Sequence, residues 1–123
     1  MENPKAKKLL KKIQDDLAQN GIITNTITQD LKELRPFAVE EKQPLLAKII
    51  RLTFEHIEAY KTFDIPIPED EPVEGFEEEA QAEQETSPEE SLQYLFSLIA
   101  DSNNKLNKEE LREYCNALVD YED

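Results

Sequence analysis

Glycine is almost missing: 123 residues contain two. Tight β-hairpins, dinucleotide-binding turns and phosphate-cradling loops all need Gly at backbone angles closed to other side chains. Folds built on those devices are therefore disfavoured. There is one cysteine and one histidine, so no internal disulfide can form and no zinc-ligand spacing exists. A single thiol suits a reducing compartment, and a cytoplasmic location is expected. No apolar run approaches the roughly 20 residues that a membrane-spanning helix needs. The basic stretch MENPKAKKLLKKIQDDL lacks a small-residue cleavage site and is not read as a signal peptide.

The most informative absence is of positive charge. Residues 62–104 carry thirteen acids and no Lys or Arg, whereas residues 1–61 carry eleven bases and nine acids, and residues 105–123 three and six. The total is −14. A surface of that sign repels phosphates, so direct nucleic-acid binding is not expected.

What is present is helical periodicity. Asn3 and Pro4 suit a helix start and Gly21 its exit. Ala6, Leu9, Leu10, Ile13 and Leu17 then share one stripe, opposite Lys7, Lys8, Lys11 and Lys12. That basic face is read as solvated, with Lys11–Asp15 and Lys12–Asp16 as i,i+4 pairs. A second helix is placed from Thr26, where Thr26-x-x-Gln29 can form a capping box, and Pro36 ends or bends it. A third, over 44–63, carries apolar residues round more than half its circumference. It should be the central helix, contacted from several sides.

Residues 64–90 hold four prolines and twelve acids. DIPIP reads as an extended strap, and 69–86 as a mobile, self-repelling acidic loop. Ser87-Pro88-Glu89-Glu90 then combines a capping serine, a first-turn proline and a capping-box glutamate. A last helix is placed from Asn107, with Leu111, Tyr114, Cys115, Leu118 and Val119 on one side. The expected fold is all-α: one domain over 1–123, a bundle of about five helices. It comprises a three-helix part (1–63), an acidic connection (64–86) between the third and fourth helices, and a hairpin (87–121) packed on helix 44–63.

Candidate chemistry is sparse. FSLIADSNNKLNKEELREY resembles a calcium loop in rhythm. With Glu110 at the twelfth position, Ile99 stands where the first oxygen ligand belongs; with Asp101 first, Lys105 and Arg112 occupy ligand positions. It is read as a turn, and no metal or cofactor is expected. His56 lies on the apolar arc of the third helix and is read as a buried structural residue. Its partner would be a backbone carbonyl or a hydroxyl from Thr53, Tyr60, Tyr94 or Tyr114. Cys115 is read as a small core residue. A Cys115–His56 dyad is the one enzymatic pairing that the chain permits.

Three functions follow, in order of preference. The first is a non-catalytic protein-interaction or regulatory domain, with another protein as partner. The second is an acidic decoy that occupies a partner's basic nucleic-acid site, distinguished by steep salt dependence. The third is an enzyme using Cys115 and His56.

Overall fold

The computed structural model describes residues 1–65, 67 and 87–121. It contains five α-helices and, among the described residues, no strand: α1 (Pro4–Asn20), α2 (Thr24–Glu40), α3 (Pro44–Tyr60), α4 (Pro88–Ala100) and α5 (Lys105–Tyr121). The acidic loop expected over 69–86 lies outside the described residues.

The helices close a ring in which α1 packs on α2, α2 on α3, α3 on α5, α5 on α4 and α4 on α1. The third helix is therefore one member of the ring rather than an axis with all the others around it. Its buried residues, Leu46, Ala47, Ile49, Ile50, Leu52, Thr53, His56 and Ile57, face α2 on one side and α5 on the other. The C-terminal hairpin does cover it, through α5.

The chain runs up and down the bundle. The start of α1, the α2–α3 turn and the α4–α5 turn meet at one end. There the Met1 amino group donates to Ser102 Oγ at 3.2 Å, and Ser102 donates to Gln43 Oε1 at 3.3 Å. Farther along the bundle, Gln93 of α4 donates to the Gln14 carbonyl of α1, and Ser91 donates to the Ile65 carbonyl. Phe63 and Ile65 are buried, so the described part of the DIPIP strap lies on the bundle.

Capping explains most of the boundaries. Asn3 Oδ1 accepts from the amides of Lys5 and Ala6 ahead of Pro4. Ser87 and Glu90 form the expected reciprocal box at the start of α4. Four boundaries differ from the sequence reading.

Helix α2 begins at Thr24 with no side-chain cap, so the Thr26–Gln29 box does not form. Instead Ile27 N–H bonds to the Ile23 carbonyl and Thr28 Oγ1 to that of Thr24, closing an earlier first turn. Helix α2 also continues through Pro36 to Glu40. A proline leaves the carbonyl four residues earlier without its helical donor. Both Pro36 and Lys32 are exposed, so water can serve that carbonyl. Burial of Leu34 and Ala38 on either side favours continuing the helix.

Helix α5 begins two residues before Asn107. Asn104 is the capping residue, accepting from Leu106 and Asn107 amides at 2.8 and 3.3 Å, while the Asn107 side chain donates to the Asp101 carbonyl. Helix α3 stops at Tyr60 rather than 63, because Lys61 takes a left-handed conformation (φ 64°) and turns Phe63 back into the core. Val119, expected on the buried face of α5, is exposed.

Candidate functional site

The two residues singled out for chemistry are both enclosed. His56 is 0% exposed and Cys115 6%. The imidazole sits in an aromatic cluster, with ring centroids 4.8 Å from Tyr60, 5.7 Å from Phe63 and 4.8 Å from Tyr121. Its Nε2 accepts from the Asp64 amide at 3.0 Å. For that nitrogen the partner is a backbone N–H, not the carbonyl or hydroxyl that the sequence suggested. An accepting Nε2 carries a lone pair, which puts the ring proton on Nδ1. Tyr121 completes the enclosure by donating to Asp64 Oδ2 at 2.8 Å. That hydrogen bond to a carboxylate, with burial and the Asp64 charge behind it, raises the Tyr121 phenol above its ordinary value.

Helix α5 thus meets His56 through Tyr121. Cys115 lies six residues earlier, about 9 Å back along the axis. It is a free, buried thiol. Its neighbour Tyr114 is buried beside Ser91, with its hydroxyl 3.0 Å from both Ser91 Oγ and the Ser91 carbonyl. Burial drives the Tyr114 phenol well above its ordinary value.

A different feature stands out at the end where the α2–α3 and α4–α5 turns meet. Two open grooves flank the α2–α3 turn and share Lys42, Gln43 and Pro44. One, of about 350 Å³, lies against the α4–α5 turn and adds Lys108 and Arg112. The other, of about 400 Å³, lies between α2 and α3 and adds Arg35, Lys48 and Arg51. Six cations line the two grooves and no carboxylate does. Of the six, only Arg51 has an ion pair among the described residues, to Glu55 at 3.3 Å. Arg35 is oriented by its Nε, which donates to the Ala47 carbonyl at 3.1 Å.

Two of the acids nearby, Glu41 and Glu2, are engaged elsewhere. Glu41 accepts from the amides of Glu2 and Asn3, both at 3.0 Å, and from Gln43 Nε2 at 3.1 Å. Burial alone would raise its carboxyl, but these donors and the Met1 ammonium outweigh burial and hold it below its ordinary value. Glu2 accepts from Asn103.

Lys42 itself is held at φ 59°. It is the left-handed residue of a Schellman ending to α2, in which Gln43 N–H bonds to the Ala38 carbonyl and Lys42 N–H to that of Val39. Glycine is the usual occupant of that position.

Sequence reasoning missed this basic region because its residues come from separate segments that only packing unites. One signal was present: residues 42–54 contain three cations and no acid in a chain of 28 acids and 14 bases. Among the described residues, no group of three His, Cys, Asp or Glu side chains is placed to hold a metal, and no helix is long and apolar enough to cross a membrane. Compared with protein-family models, curated proteins and solved structures, the chain matches none.

Proposed function

We propose that the chain is a non-catalytic interaction domain of the cytoplasm that docks a partner protein on the end of the bundle bearing the basic grooves. One observation carries this reading: unpaired cations and exposed apolar side chains gather at the same place. Leu106, at 69%, and Val39, at 53%, are the two most exposed large apolar residues of the described chain. Val39 lines the α2–α3 groove, and Leu106 stands on the first turn of α5 at that same end. Apolar surface ringed by polar and charged groups is the usual anatomy of a docking site. The buried free thiol fits a reducing cytoplasm.

Photo-crosslinking side chains placed at positions 39 and 106, in an extract of the native host, test the reading. Both positions should yield the same dominant adduct, and a probe at Lys8, on the outer face of α1, should not. Adducts arising only from probes within residues 69–85 would instead favour the acidic-decoy function. Absence of a shared adduct at 39 and 106 would remove the docking reading.

A further inference from the structure

We infer that the basic grooves receive an acidic peptide segment of a separate partner protein, with carboxylates spaced by apolar residues; this rests on the docking reading above. The charge argues for an anionic occupant. Six cations with no lining carboxylate, five of them without an ion pair among the described residues, give the groove lining a charge opposite in sign to that of the whole chain.

The net charge of −14 does not prevent this. At about 0.1 M salt the screening length is roughly 10 Å, so a bound segment feels the groove and little of the remaining surface.

The layout argues for an extended chain rather than a compact anion. The cations lie on both sides of Pro44 instead of converging on one centre, as they would around a single phosphate. Between them the walls include Leu45, Ala47 and Leu111. An extended peptide presents side chains alternately, so carboxylates can meet the rim while apolar groups meet those walls.

The occupant is assigned to another protein because of where this chain's own acids are attached. Ser87, which follows residues 68–86, opens α4, whose 13 residues put it about 20 Å from the α4–α5 turn, and Ile67 lies beside Gln93, Tyr94 and Ser97 of that helix; an acidic segment of this chain would be tethered at both points, and a separate one meets no such constraint.

The test uses the full chain and a fluorescent peptide of about ten residues alternating Glu with Leu, read by anisotropy. Saturable one-to-one binding should weaken at least about tenfold between about 50 and 300 mM salt. Lys42→Glu with Arg112→Glu should weaken it by at least about tenfold at the lower salt. Lys8→Glu with Lys61→Glu makes the same change in net charge away from the grooves and should leave affinity within about twofold.

Four results would overturn the inference: no saturation by about 1 mM peptide, an equal loss in the control variant, equally strong binding of inorganic tripolyphosphate at the same residues, or low-salt self-association that the groove variant abolishes. The third would make the site one for phosphate-bearing ligands. The fourth would place a second copy's acidic segment there. Loss of peptide binding while the crosslinks at 39 and 106 persist would remove the acidic occupant and leave the docking reading standing.

Discussion

Two helices of this protein end on a lysine in the left-handed region, Lys42 at φ 59° and Lys61 at φ 64°. A side chain with a Cβ costs about 1–2 kcal/mol there relative to right-handed backbone. Glycine escapes that cost but loses about 0.5–1 kcal/mol more chain entropy on folding. Lys42→Gly should therefore stabilise the fold by a net of about 0.5–1 kcal/mol. For 123 residues the unfolding entropy near the midpoint is about 0.26 kcal/mol/K, so Tm should rise by about 2–4 °C. Lys61→Gly should give a similar gain, and the two should add because they sit at opposite ends of α3. Lys42→Ala separates the causes: it removes the charge but keeps the Cβ, so it should stay within about 0.5 kcal/mol of wild type. Calorimetry at matched pH and salt reads all four proteins. A lower Tm for Lys42→Gly, or an equal rise for Lys42→Ala, would refute the backbone argument. The pair also reports on the groove. Lys42→Gly should gain stability and lose acidic-peptide affinity, whereas Lys61→Gly should gain stability alone.

His56→Leu keeps the volume but removes the acceptor of the Asp64 amide, so urea unfolding should show a loss of about 1–2 kcal/mol. His56→Ala adds a cavity and should cost about 2–4 kcal/mol; an Ala variant no worse than Leu would contradict the enclosed position of the ring. Glu41 has a folded pKa below its ordinary value, so its stabilisation is present above the ordinary carboxylate pKa and is lost as pH falls through the folded one. The stability gap between wild type and Glu41→Gln should therefore be full near neutral pH and close in acid, and a gap that widens in acid would contradict the sign. Asn104→Ala should cost about 1 kcal/mol as the loss of a helix cap, and Asn107→Ala clearly less; the reverse order in denaturant titrations would restore the start of α5 to Asn107.

The helices were legible wherever a local signal had no rival. Asn3 with Pro4 and the Ser87–Glu90 box each marked a start, and the apolar stripes named most of the core. The misplacements share a cause, which is competition that only tertiary structure decides. Asn104 and Asn107 are both good caps, and Asn104 prevails because Asn107 can turn its amide back to the Asp101 carbonyl. Pro36 is a strong local stop signal, yet its missing donor falls on an exposed part of α2, where water offsets the loss. The broad apolar arc of α3 correctly demanded partners on more than one side. It could not say that those partners would be α2 and α5 in a ring, since a helix records how much surface it must bury and not against what. The grooves were the least legible, because their cations come from separate segments and no local pattern links them.

Whether the grooves' charge belongs to side chains or to backbone follows from the same arrangement. Three helices, α1, α3 and α5, begin at the grooved end, and two, α2 and α4, finish there. Helix dipoles place roughly half a positive charge at each start and half a negative charge at each finish, so they nearly cancel at this end. The positive charge lining the grooves therefore comes from Arg35, Lys42, Lys48, Arg51, Lys108 and Arg112. Residues 68–86, which Ile67 and Ser87 bracket, hold nine acids and no base. On the docking proposal, an acidic partner would be drawn to the groove cations before any contact forms. Reversal of two groove charges should therefore slow association as well as hasten release. A change confined to the release rate would mean that the groove holds the partner without steering it.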